Sequence, residues 1–155
     1  MFNGRLDDKG RVKVSAQMQR FLESLPEKKF FVTSLDRRTA AIYPIASWRA
    51  TEQFFENFTE NPQLAEDVHF TATTLGSEVE MDGQGRILFN SDLRRVVKLE
   101  GNELHLYWYL GHVEVLTDEI YKEREQSAVE SAINAASATV KTPTALRVLR
   151  KAGLK

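Results

Sequence analysis

Two arginines, each fixed one residue after a glycine, are the groups in this chain best placed to do chemistry. Arg11 stands in Leu6-Asp7-Asp8-Lys9-Gly10-Arg11-Val12-Lys13-Val14, and Arg86 in Met81-Asp82-Gly83-Gln84-Gly85-Arg86-Ile87-Leu88-Phe89. Both stretches run apolar-Asp-x-x-Gly-Arg-apolar-x-apolar, and the spacing is 75 residues (86 − 11). An aspartate at the head of such a run accepts hydrogen bonds from backbone amides two residues on. A glycine supplies the positive φ that closes the turn. Asp7 and Asp82 are therefore expected to stabilise two tight turns between strands, with Gly10 and Gly85 as their pivots. After each turn the side chains alternate. Val12 and Val14 take one face and Arg11 and Lys13 the other, while Ile87 and Phe89 oppose Arg86 and Leu88. A guanidinium held clear of the core beside such a turn is well placed to grip something anionic and planar.

Other chemistries are poorly served. His69, His105 and His112 show no metal-ligand spacing, and no Ser-His-Asp order is apparent. Without cysteine there is no disulfide, thiolate nucleophile or zinc-thiolate site. The expectation is a protein with no catalytic residue, no metal and no cofactor. Asp7, Asp8 and Asp82 beside two arginines give only thin support to a phosphoryl-transfer enzyme.

The turns need a frame. A chain of 155 residues makes one domain or two small lobes sharing a core. Residues 2–6 and 11–15 read as strands around the first turn, and 16–25 as a helix with Met18, Phe21, Leu22 and Leu25 on one face. Two further strands, Phe30–Leu35 and Ala40–Tyr43, flank a turn at 36–38, and Pro44 stops the second. A helix follows, capped by Ser47 or a neighbour and carrying Trp48, Thr51, Phe55 and Phe58. The 63–75 segment is ambiguous, because Thr71-Ala72-Thr73-Thr74 is a poor helix former. From Glu78 the pattern repeats: strand, turn, strand, a short helix over 91–98, and a hairpin of 104–110 with 113–116 about Gly111. Phe31-Val32-Thr33 aligns with Leu104-His105-Leu106, Ile42-Tyr43-Pro44 with Val115-Leu116-Thr117, and Trp48 with Tyr121. This second offset is 73, which places a two-residue loss after the first helix. A longer helix, 117–138, presents Ile120, Tyr121, Val129, Ala132, Ile133 and Ala136 on one side. Neither half has strands enough to bury a core alone. The two are expected to interlock by pseudo-twofold symmetry as 1–75 and 76–125, followed by 126–155 as a helix end and basic tail in which Leu146, Val148, Leu149 and Leu154 can form a small helix.

Net charge is −1 and the isoelectric point about 6.3, so the chain as a whole does not announce nucleic acid. Its distribution does more. The first twenty residues hold Arg5, Lys9, Arg11, Lys13 and Arg20; the last fifteen hold five basic residues and no acid; 50–80 carries acidic charge alone. Around the first turn stand Arg5, Lys9, Arg11 and Lys13. At the matching places the second has Glu80, Gln84, Arg86 and Leu88. Phosphate attraction is thus expected mainly from the first turn, and base reading from Arg86 with Gln84 in the second. No apolar signal region or membrane-length stretch is present, and a cytoplasmic location is expected.

The ordered pair Asp7-x-Lys9-Gly10-Arg11 and Asp82-x-x-Gly85-Arg86, with Ile42-Tyr43-Pro44…Trp48 and the Glu78–Asp82 approach, resembles the MraZ family of bacterial transcriptional regulators from about Phe2 to residue 125. The resemblance implies an α+β, mainly β fold: a pseudosymmetric double-split, swapped-hairpin β-barrel of AbrB-like halves with flanking helices. It also implies a ring-shaped homo-oligomer, associated with the nucleoid, bound to repeated promoter sites in double-stranded DNA upstream of the division and cell-wall gene cluster. Its DNA contacts would be Arg5, Lys9, Gly10, Arg11, Lys13, Gln84, Gly85 and Arg86, without enzyme activity. Three departures stand out. Ser15 and Asn90 occupy places where the family usually has proline, Gln17 and Gln19 sit where arginine is common, and the Leu64–Asp67 link is acidic. Two alternatives remain at this stage: a protein-assembly module using Tyr107-Trp108-Tyr109, and an AbrB-type antitoxin, although antitoxins normally carry one such half per chain.

Overall fold

The computed structural model describes residues 1–100 and 103–138. In chain order the elements are β1 (Phe2–Leu6), β2 (Arg11–Val14), α1 (Ala16–Glu23), β3 (Lys29–Thr33), β4 (Ala40–Pro44), α2 (Ile45–Glu56) and α3 (Pro62–Leu75). Then follow β5 (Ser77–Glu80), β6 (Arg86–Leu88), α4 (Ser91–Val96), β7 (Glu103–Tyr109), β8 (His112–Thr117) and α5 (Asp118–Ala138). Two compact units divide between Asp118 and Glu119, and the first contains every strand. No helix among the described residues is long and apolar enough to cross a membrane.

The strands form one antiparallel sheet in the order β5-β3-β4-β8-β7-β1-β2-β6. β6 meets β5 again at the second turn, where the Asp82 amide donates to the Arg86 carbonyl at 3.0 Å, so the sheet is a nearly closed barrel. The halves exchange strands: β1 pairs with β7 of the second half, and β5 of the second half pairs with β3 of the first. This is the swapped-hairpin, mainly β architecture that the sequence predicts. Alternation fills the barrel with Val12, Val14, Phe30, Val32, Ile42, Ile87, Phe89, Leu104, Leu106, Val113 and Val115, all buried.

The register corrects the internal alignment. Gly4 and Val79 are equivalent at the 75-residue spacing. Gly4 faces Leu104 and Val79 faces Phe30, so the counterpart of Leu104 is Phe30, at a spacing of 74, and not Phe31. Phe30 in turn faces Pro44 as Leu104 faces Thr117, a spacing of 73. The second half therefore lacks one residue ahead of β7 and the other in the β7–β8 hairpin, rather than both after the first helix.

The helices differ from expectation at their ends. α1 stops at Glu23, before Leu25 and Pro26. α2 begins at Ile45 directly behind Pro44, with no side-chain cap, and Ser47 lies inside it. α3 is helical through the threonine run. Asn61 Oδ1 caps it by accepting from the Leu64 amide, and Pro62 suits its first turn. Tertiary contact overrides the poor propensity: Ala72 is fully buried, and its carbonyl accepts from Thr33 Oγ1 at 2.6 Å. α2 and α3 cover the outer face of β3 and β4, where Phe31 stacks on Trp48 and Tyr43 meets both Trp48 and His112. Burial, with Glu114 and Asp36 nearby, pushes the Tyr43 phenol well above its usual range.

In α5, Val129 and Ile133 of the expected apolar face are exposed. The basic tail and its apolar residues Leu146, Val148, Leu149 and Leu154 lie outside the described residues.

Candidate nucleic-acid interface

Each turn is built by its aspartate. Asp7 Oδ1 accepts from the amides of Lys9 and Arg11, both at 2.9 Å, and Oδ2 accepts from Arg11 Nε at 2.9 Å. Asp82 repeats the pattern: Oδ1 accepts from the Gln84 and Arg86 amides at 2.9 Å, and Oδ2 from Arg86 Nε at 2.7 Å. Gly10 at φ 81° and Gly85 at φ 76° close the turns in the left-handed region. The Arg11 amide, ahead of the Arg11 guanidinium and the Lys9 amide, holds Asp7 below the usual carboxylate range against partial desolvation. The Arg86 amide, then its guanidinium and the Gln84 amide, do the same for Asp82.

Each arginine is thus gripped through Nε. Its two terminal nitrogens make no hydrogen bond among the described residues, and a little over a quarter of the side chain is exposed (28% in both). A guanidinium oriented in this way presents two parallel donors outward, the geometry that matches a phosphate or the O6/N7 edge of guanine.

The turns are joined through β2 and β6. Val12 faces Ile87, while Gly10 O accepts from the Phe89 amide and Gly85 O from the Val14 amide, both at 2.9 Å. Each bond is the other's image under the 75-residue repeat, so the ladder is self-complementary. Four strand steps, about 14 Å, separate Gly10 from the level of Gly85.

The charges around these turns are not distributed as the linear sequence suggests. Lys13 does not serve its own turn; its ammonium donates to the carbonyl of Gln84 in the second turn at 2.7 Å. Strand pairing sets Glu103, Arg5, Lys13 and Arg86 in one row across β7, β1, β2 and β6. Arg5 and Lys13 are exposed, on the face opposite the core. Arg86 therefore has Lys13 as a basic cross-strand neighbour, with Arg5 one strand further on, whereas the linear sequence places basic charge mainly around the first turn. Near the first turn remain Lys9, which is exposed, and Arg11, which faces Leu88 across the ladder.

The helices after each turn cross over to support the other turn. Ser15 Oγ accepts from the Met18 amide to cap α1, and Asn90 Oδ1 accepts from the Leu93 amide to cap α4. These residues fix the helix starts by side-chain capping. Asn90 Nδ2 also donates to Leu75 O. From α1, Gln19 Nε2 donates to the Gly83 carbonyl in the second turn. From α4, Arg94 packs on Gly10 of the first, a contact between residues far apart in sequence. The local pattern around Arg94 gives no hint of it; Arg94 is the counterpart of Gln19 at the 75-residue spacing.

Paired Asp-x-x-Gly-Arg turns on a pseudosymmetric swapped-hairpin barrel define the class of fold and site. No family model matches the chain. Among curated proteins it is similar to the transcriptional regulator MraZ of Acidobacterium capsulatum, 31% identical over 79% of this chain and 86% of the relative. It is also similar to those of Koribacter versatilis, at 33% over 83% and 90%, and Burkholderia cenocepacia, at 30% over 83% and 91%. The chain belongs to the MraZ family of transcriptional regulators.

Proposed function

We propose that this protein is a non-enzymatic, sequence-specific DNA-binding regulator that acts in the cytoplasm at the nucleoid as a ring-shaped homo-oligomer. It would occupy repeated promoter sites upstream of the division and cell-wall gene cluster, the target that membership of the family suggests. The observation that carries the reading is the repeated fork: two arginines, each locked through Nε by an aspartate, leave paired donors outward on one self-complementary ladder. Arg11 and Arg86 read bases or grip phosphates; Arg5, Lys9, Lys13 and Gln84 position the duplex; Gly10 and Gly85 let the backbone approach. The halves 1–75 and 76–125 act as one recognition unit, with 126–155 outside it. A single turn contributes few contacts, and a ring presenting many turns to repeated sites raises affinity by about 10²–10⁴. Net charge near zero is no obstacle, because only the turn-bearing face has to be positive.

The test is light scattering on the full chain, then titration of a promoter fragment carrying the repeats and of an unrelated duplex across a salt series. Tight, salt-dependent preference for the promoter fragment supports the reading. Equal affinity for both duplexes, or none for either, overturns it.

A further inference from the structure

At the first turn a second guanidinium stands beside Arg11. A methyl group placed on Gly10 would lie 2.7 Å from Cζ of Arg94, 2.8 Å from its Nε and 2.9 Å from Nη2, so the guanidinium covers the glycine in close contact. Arg94 Nε donates to the Phe89 carbonyl at 2.9 Å, and the Phe89 amide donates to the Gly10 carbonyl. The side chain is thereby tied to the end of the β2–β6 ladder. It is half-buried, and its terminal nitrogens make no hydrogen bond among the described residues.

The charge balance separates the two arginines. Arg11 is paired with Asp7. Arg94 has no carboxylate within ion-pair distance among the described residues, although its neighbour Arg95 is paired with Asp92. At the equivalent place over Gly85 stands Gln19, an uncharged amide engaged with Gly83 O and Glu23. A partly desolvated, uncompensated cation is costly unless an anion completes it. Backbone packing alone would be met by an amide, as the second turn shows.

We propose that Arg94, supplied to the first turn by the helix of the other half, is a DNA-binding residue that grips a backbone phosphate beside the group held by Arg11. This deepens the DNA-binding reading and rests on it. The first turn then adds a phosphate contact from α4 to those of Lys9 and Arg11, and the second draws on the row of Arg5 and Lys13.

The test compares the full-length parent with Arg94→Gln and Arg94→Lys on the promoter fragment across the salt series, with a thermal melt of each. Arg94→Gln is expected to lose affinity and to lower the slope of log K against log salt by about one per bound first turn. Arg94→Lys keeps the slope. A purely structural Arg94 would shift the melt and leave the slope alone. Should Arg94→Gln melt early, Arg94→Met serves instead: its unbranched apolar stem reaches as far as the Nε position, while the charge and the Nε donor to Phe89 are lost. Parental slope in the neutral variant, or equal loss of slope in Arg94→Lys, overturns the proposal and leaves the DNA-binding reading standing. A parent that binds no DNA removes both.

Discussion

Arg11 and Arg86 lie outside the packing of the barrel, so their loss separates binding from folding. Arg11→Ala and Arg86→Ala should each weaken promoter binding by at least about fivefold, the lower end for one bidentate contact. Circular dichroism should show the fold retained, because each aspartate keeps its two backbone amides. Parental affinity in both would place the site elsewhere. The aspartates predict a pH dependence. Their folded pKa values lie below the ordinary value of 3.8, so their contribution is complete above that value and is lost as pH falls through the lowered folded value. Comparing urea midpoints of the parent and an Asp7→Asn/Asp82→Asn double variant should show a difference that is large at neutral pH and shrinks on acidification below about pH 4. A difference independent of pH would assign the stabilisation to shape alone. The turns were legible in the sequence because their chemistry is local: aspartate, glycine and arginine interact within five residues. The destinations of Lys13 and Arg94 were not, because each reaches the opposite turn through strand pairing or helix docking that no neighbouring residue encodes.

Ser15 and Asn90 show how the α1 and α4 starts are set in the absence of proline. Capping by Ser or Asn is worth about 1 kcal/mol. Both Ser15→Ala and Asn90→Ala should lower stability in urea unfolding by about that amount, and Asn90→Ala by more, because Asn90 also satisfies the Leu75 carbonyl at the end of α3. Equal costs would mean that the second bond contributes nothing. The existence and type of these elements could be read from hydrophobic period, but their ends could not. α2 starts behind Pro44 with no cap to mark it, and α3 persists through Thr71–Thr74 because Ala72 is locked against Thr33. The single-residue slip at β3 leaves no mark in the hydrophobic pattern, because Phe30 and Phe31 are equally apolar. Only pairing with β5 decides that Phe30 faces inward.

Symmetry relates the two halves of the barrel unit, and its outer surface still carries apolar groups. At the β7–β8 hairpin Trp108, Tyr109 and Leu110 are exposed, with Phe21 edge-on to Trp108; on α2 and α3 Phe54 and Phe70 are exposed at 61% and 71%. Surfaces of this kind are usually covered by another subunit. Light scattering at micromolar concentration should therefore find a stable homo-oligomer larger than a dimer, and a monomer would remove the multivalent account of binding. The general architecture was legible because the repeated motif, the short strands and the lack of a core in either half all demanded interlocking.

The exchange of strands also imposes an order in time. β1 leaves the ribosome about a hundred residues before its partner β7, an interval of about 5–20 s at ordinary rates of synthesis. Until then the β1–β2 hairpin lacks β7 on one edge, and for most of the interval β6 on the other, and cannot complete its share of the interior. Such distant pairing makes for slow, all-or-none closure. A nascent chain halted before β7 should be digested by protease from its first residues, and the same chain released at full length should resist.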